Sequence, residues 1–371
     1  MTSMARGHRA CVVALTCATL AACDTPDYPP PTLVDQLRVL AVRAEPPHLG
    51  VAPSAIDVLA VGHQGPLCYA YQACLFAWAE AGMYRCLDAD IALDLGTEAT
   101  ATVSVLDLLT LLPKVTAVLQ KKGLLPPGEI RLGGGDGTDV GGDGTDAAEG
   151  DTGLEIQILF QVAEAGLYGG ACPSVAEALA KPCSDRTRCI QGWKALTLGV
   201  DADGAPDPRH AHTNPVLLGL RVGPEGKPPL PLDDPSLDWP ADAPLTIARY
   251  EADEDDLELA LADTHGLRLQ PRWTPESLEI VRKSPDPGLP DTREALTFDW
   301  YSTAGNFDYR RTGDNVASNG YMAERDPEVE LWLVVRDDRG GAAWLHRRAS
   351  RSELPKGCVA ALPGSAQCIA P

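Results

Sequence analysis

The chain has 371 residues, with 31 Lys and Arg against 52 Asp and Glu, for a formal charge of -21 at pH 7. Apolar residues make up 44%, which excludes a disordered or collagen-like chain, and the length suits two domains better than one. The acidic balance argues against a nucleic-acid partner, because a phosphate backbone is bound by clustered Lys and Arg.

Arg6, His8 and Arg9 precede an apolar run over residues 10–22. A bilayer span needs about 20 residues, so the run is too short to cross one and reads as a signal peptide over residues 1–22. It ends in Leu20-Ala21-Ala22-Cys23, which resembles the lipobox of bacterial lipoproteins. That resemblance implies cleavage before Cys23 and acylation of its thiol and new amino group. A Pro-rich tether follows over residues 23–32. Each buried acyl methylene adds about 0.8 kcal/mol of membrane affinity. The expected location is therefore a bacterial membrane, inner or outer, with the protein facing the periplasm or the cell surface.

Cys11 and Cys17 leave with the signal, and Cys23 takes the lipid. Cys68, Cys74, Cys86, Cys172, Cys183, Cys189, Cys358 and Cys368 remain, an even set that reads as disulfides in an exported chain. If all are bridged, each group of three must send at least one bridge outside itself. The simplest solution closes Cys358–Cys368 locally and links the 68–86 cluster to the 172–189 cluster. Zinc is the weaker reading, since no CxxC pair is present.

The first globular segment, residues 33–200, opens with Leu37-Arg38-Val39-Leu40-Ala41-Val42-Arg43. Leu37, Val39 and Ala41 share one face and Leu40 and Val42 the other, the pattern of a strand buried on both sides. Pro46-Pro47 stops it. Further strands are predicted over residues 56–61, 74–78, 91–95, 100–105, 154–162 and 194–200. These short runs punctuated by Gly, Pro and Asp suit a β-sandwich rather than a βαβ array. A helical and Gly/Asp-rich insertion interrupts them over residues 105–153. Ser104 and Asp107 have capping-box spacing, Leu108, Leu112, Val115 and Leu119 recur at helical intervals, and Pro113 kinks the helix or ends its first turn. Residues 133–153 cannot bury a core and are expected to be mobile. Ser174 and Glu177 cap a second short helix near residues 173–180.

A linker over residues 201–214 leads to a second domain, residues 215–351. Its predicted strands cover 215–222, 245–250, 257–262, 267–273, 277–281, 296–301, 328–336 and 342–348. The last two form a hairpin with Val329, Leu331, Leu333 and Val335 on one face and Asp337-Asp338-Arg339-Gly340-Gly341 as the turn. Of Trp300 and Tyr301, one is expected in the core and the other partly exposed. A tail over residues 352–371 holds the local disulfide.

Four stretches carry a family resemblance: residues 37–47, residues 214–220, Phe298-Asp299-Trp300-Tyr301-Ser302-Thr303-Ala304-Gly305, and Leu333-Val334-Val335-Arg336 with the turn after it. They resemble landmarks of a family of uncharacterised exported lipoproteins from GC-rich Gram-negative bacteria. The resemblance implies a mainly β fold with two Ig-like β-sandwich domains and a place in the cell envelope. It brings no catalytic residues with it.

The Gly/Asp segment repeats Gly-Gly-Asp-Gly-Thr-Asp twice, which places Asp136, Asp139, Asp143 and Asp146 at offsets reminiscent of a calcium β-roll. The repeat is seven residues rather than nine, and its inward positions hold Gly141 and Ala148. A solvated acidic linker is the better reading and a weak calcium site the lesser one. Asp201 opens an EF-hand-like run that fails at Pro206 and His212. His210 and His212 lack a third ligand on a rigid element, and the acidic run over residues 251–256 reads as a hydrated loop. GxSxG, HExxH, SxxK and P-loop motifs are absent from the sequence. The chain is accordingly read as a non-catalytic envelope lipoprotein without a cofactor, anchored by its lipid and presenting sandwich domains to a protein or glycan partner. The alternatives are an exported hydrolase using a carboxylate pair, or a calcium-responsive surface module.

Overall fold

The structure, a computed structural model, describes residues 31–80, 83–124, 155–199, 212–224, 238–239, 245–249, 267–282, 292–322, 328–353, 358–359 and 367–368. The signal region, Cys23, the Gly/Asp segment, the acidic run and the predicted strand at 257–262 lie outside them.

The first sandwich is built from β1 (Arg38–Glu45), β2 (Ser54–Val61), β3 (Leu67–Cys74), β4 (Ala77–Glu80), β5 (Met83–Cys86), β6 (Ala92–Gly96), β7 (Thr100–Val103), β8 (Glu155–Glu164) and β9 (Cys189–Thr197). One sheet has the order β1-β2-β7 and the other β6-β3-β8-β9, with β4 and β5 as a separate hairpin. Both sheets are antiparallel, and their facing sides share one core. Ala44, Ile56 and Val103 come from the first sheet and Tyr71, Ile158, Phe160 and Leu196 from the second. Leu108 of α1 (Val105–Leu109) and Leu111, the N-cap of α2 (Leu112–Lys121), join the same cluster.

Ser104 caps α1 in a complete capping box with Asp107, and Pro113 falls in the first turn of α2, so the helix breaks where Pro was expected to disturb it. Ser174 and Glu177 make the second capping box, which starts α3 (Val175–Leu179). Three disulfides staple this sandwich: Cys68–Cys172, Cys74–Cys86 and Cys183–Cys189.

Three strands differ from the sequence reading, of which β5 had no predicted counterpart. The run predicted at 74–78 is interrupted; β3 ends at Cys74 and β4 starts at Ala77. The strand proper, Leu67–Cys74, carries its signal in alternating Tyr69 and Tyr71 among small residues. The strand expected at 194–200 starts earlier, at Cys189. Gly192 hides it from pattern reading, yet a Cβ there would lie 2.5 Å from the Phe160 ring, so close packing requires glycine.

The second sandwich comprises β10 (Leu217–Pro224), β11 (Asp238–Trp239), β12 (Leu245–Arg249), β13 (Leu267–Trp273), β14 (Ile280–Arg282), β15 (Thr292–Arg293), β16 (Leu296–Ser302), β17 (Asn306–Phe307), β18 (Arg311–Gly313), β19 (Asn319–Met322), β20 (Glu328–Asp337) and β21 (Ala342–Glu353). Its sheets have the orders β11-β10-β13-β19-β17 and β12-β21-β20-β16-β18. β20 and β21 form the predicted hairpin. Val329, Leu331, Leu333 and Val335 join the core with Phe298, Trp300, Leu269 and Tyr321. Trp300 is 1% exposed and Tyr301 is half-buried. The Trp300 indole donates to Thr312 Oγ1 at 3.1 Å and the Tyr321 hydroxyl to Ala304 O at 2.7 Å, so both buried polar tips are satisfied. The segment expected as a strand at 277–281 is instead a 3-10 turn over Pro275–Ser277 followed by the short β14, and β17 to β19 had no predicted counterpart. A final ladder, β22 (Cys358–Val359) with β23 (Gln367–Cys368), sets Cys358 opposite Cys368 in backbone register; their side chains are not described.

The sandwiches stack on each other. Val34, Leu40, Ala41 and Val61 from the first form a buried cluster with Trp332 and Val334 from the second, with Tyr301 and Trp344 packed against it. β20 is thus buried on both faces. The segment leading into β1 is stitched to β16 by Val34 N–H donating to Ser302 O at 2.7 Å and Ser302 N–H donating to Thr32 O at 3.0 Å.

Candidate functional site

Polar groups concentrate where the sandwiches meet. β1 is an edge strand, and its outward carbonyls are taken by side chains that belong to the other half of the molecule. Arg336 of β20 donates to Leu40 O and to Asp299 of β16. Asn214 Nδ2 donates to Ala44 O at 2.6 Å and to Glu45 Oε2 at 2.7 Å, while its Oδ1 accepts from Ala342 N at 2.8 Å. Arg43 of β1 lies 4.7 Å from the centroid of the Trp344 ring, a cation–π contact across the same seam. Lys194 of β9 donates to Gly340 O in the β20–β21 turn. Between β1, β9 and this turn lies a cleft of about 310 Å³.

Behind the turn sits a charge cluster. Asp337 Oδ1 accepts the amides of Arg339 at 3.0 Å and Gly341 at 2.7 Å, which fixes the turn. Asp337 Oδ2 is buried without a hydrogen-bond partner among the described residues, and a Cβ on Gly341 would lie 2.1 Å from it, so only glycine fits. Arg339 Nη1 is 3.0 Å from Glu294 Oε1 and 3.4 Å from Glu279 Oε2. Glu279 Oε1 accepts from Thr213 N at 2.9 Å, which ties the cluster to the segment between the sandwiches. The Glu294 side chain is 1% exposed. Burial, together with the negative charges of Asp337 and Glu279, pushes its carboxyl up to about 7 against the pull of Arg339. Burial likewise lowers the Lys194 ammonium, which the Asp337 charge opposes, and lowers the His48 imidazole, which its contact with the His212 carbonyl opposes.

The sequence-predicted residues fall elsewhere or nearby. Asp136, Asp139, Asp143, Asp146 and Cys23 lie outside the described residues, as does His210. His212 contacts His48, whose Nδ1 is 3.1 Å from His212 O. Among the described residues, no group of three or more His, Cys, Asp or Glu is arranged to hold a metal, and no helix is long and apolar enough to cross a membrane. Glu279, Glu294 and Lys194 were missed by sequence reasoning, and Asn214 figured only as the start of a landmark stretch. Asp337 and Arg339 were read as turn residues only. The one signal within reach was convergence, because β1, Asn214, Asp299 and the Asp337–Gly341 turn belong to the four landmark stretches, and all of them meet at this seam.

The cluster suits a structural joint better than hydrolysis. A carboxylate pair acting on a substrate must reach it, whereas Glu294 is sealed and shares Arg339 with Glu279. No family model matches the chain and no curated protein matches it. Among solved structures, the chain is similar to the fibronectin(III)-like modules of Clostridium thermocellum CbhA, at 8% identity over 84% of this chain and 95% of that one, with a TM-score of 0.17. At that score the likeness carries no argument. The sandwich architecture rests on the sheets and shared cores described above.

Proposed function

We infer that the chain is an exported envelope lipoprotein, anchored through Cys23, whose stacked sandwiches act as a non-catalytic binding or scaffolding unit. The observation that carries this reading is the seam itself. Two sandwiches joined by a buried cluster and by Arg336 and Asn214 make one stiff body, suited to holding surface loops at a fixed spacing. Three disulfides within a single sandwich favour an oxidising compartment. The Leu20-Ala21-Ala22-Cys23 sequence and the tether after it supply the anchor. The partner is a protein or glycan of the envelope, and membership of the lipoprotein family suggested by the landmark stretches belongs to the same proposal.

The test is processing in a Gram-negative host. Globomycin should leave an uncleaved precursor of higher mass, and the Cys23→Ser substitution should abolish acylation. Normal maturation in the presence of globomycin would overturn the lipoprotein reading.

A further inference from the structure

We propose that the seam between the sandwiches is a proton-sensitive latch, closed when Glu294 carries a proton and loosened when it ionises. Two carboxylates, Glu279 and Glu294, share the Arg339 guanidinium, and a third, Asp337, holds the Arg339 backbone amide nearby, in a site where the Glu294 side chain is 1% exposed. With Glu294 protonated, Glu294 Oε1 still accepts from Arg339 and Glu279 keeps its ion pair with the same guanidinium. With Glu294 ionised, its charge repels those of Glu279 and Asp337 in a poorly solvated space.

The strain falls on contacts between the sandwiches. The turn bearing Asp337 and Arg339 also presents Gly340 O to Lys194 of β9. Glu279 holds Thr213, and the next residue, Asn214, joins Ala44 to Ala342. Among the described residues, other charged or titratable groups around the cluster include Lys194, which partly offsets Asp337, Arg336 beside Lys194, Arg293 next to Glu294, Glu45 and His48 from the end of β1 and the segment after it, and His212 before Thr213. Burial lowers the His48 imidazole, so its titration is displaced away from that of Glu294.

The sign follows from linkage. Glu294 titrates near 7 in the closed seam and at an ordinary carboxylate value once exposed to water. Opening is therefore favoured as pH rises, by about tenfold between pH 6 and pH 8. The test is hydrogen–deuterium exchange on the whole mature chain with disulfides intact, corrected for intrinsic rates. Peptides covering residues 38–46 and 337–343 should open about tenfold more at pH 8 than at pH 6. Glu294→Gln should remove that difference and hold the seam closed at both values. Equal opening at the two pH values in the wild type, or an unchanged pH response in Glu294→Gln, would overturn the proposal. Should the variant fail to fold, carboxyl carbon NMR of the wild-type chain decides. A Glu294 midpoint near 7 is expected, and one in the ordinary carboxylate range contradicts the latch.

Discussion

Arg336→Met is the sharpest probe of the seam. Arg336 is 32% exposed and bridges Asp299, itself 1% exposed, to Leu40 O on the edge of β1. Methionine keeps much of the alkyl packing against β1 and removes only the charged fork. A hydrogen bond to a charged group contributes about 1.5–3 kcal/mol. Asp299 retains Arg311, whose Nε and Nη2 donate at 2.7 and 3.2 Å, so its charge is not left alone. Leu40 O loses its partner, at roughly 1–3 kcal/mol if it stays dry. Partial exposure of Arg336 discounts the total, and we expect a loss of about 2–4 kcal/mol from these terms together. The control is Arg311→Met, which breaks a pair on the same carboxylate, within the second sandwich, from a side chain 56% exposed; it should cost about 1 kcal/mol. Urea unfolding of a Cys23→Ser chain with its disulfides intact measures both. Arg336→Met should also split a single transition into two, because the sandwiches would no longer unfold together. A cost for Arg336→Met no greater than for Arg311→Met would refute the reasoning.

Other perturbations test separate parts of the account. Trp332→Ala empties the middle of the seam, where the indole is 5% exposed; it should cost about 3–5 kcal/mol in urea melts and raise binding of a hydrophobic dye. Gly341→Ala drives a methyl into Asp337 Oδ2, and a loss of at least about 1–3 kcal/mol is expected in the same melts. Replacing Cys68 and Cys172 with Ser opens a loop spanning 104 residues and should cost on the order of 4–5 kcal/mol, more than opening the Cys183–Cys189 loop, whose separation is 6. Glu294 is raised in the folded state, so its contribution is full below the unfolded carboxylate range and is lost as pH rises through about 7. Glu294→Gln should therefore melt at a higher temperature than wild type at pH 8, and the gap should close at pH 5.

The sequence disclosed local features well and shared surfaces poorly. Ser104 with Asp107 and Ser174 with Glu177 start helices at the predicted positions, because a capping box is a contact between residues three apart. The β20–β21 hairpin was legible for the same reason, since its turn and alternation lie in one continuous stretch. Trp332 and Val334 were harder. An apolar outward face on a sandwich strand has meaning only once a second sandwich covers it, and no local period reveals that partner. Lys194 and Glu294 are long-range cases too, brought to the seam from β9 and from the residue after β15. The candidates singled out for chemistry were those clustered in sequence, whereas the charge cluster of the structure is assembled from three separate segments, those of Glu279, of Glu294 and of the turn bearing Asp337 and Arg339.

Mass spectrometry of the N-terminal peptide from the membrane fraction reaches the functional claim most directly. The account predicts a mature chain that begins at Cys23 and carries a thioether-linked diacylglycerol and an amide-linked acyl chain. An unmodified Cys23, within a chain that starts elsewhere and is recovered from the soluble fraction, would contradict it.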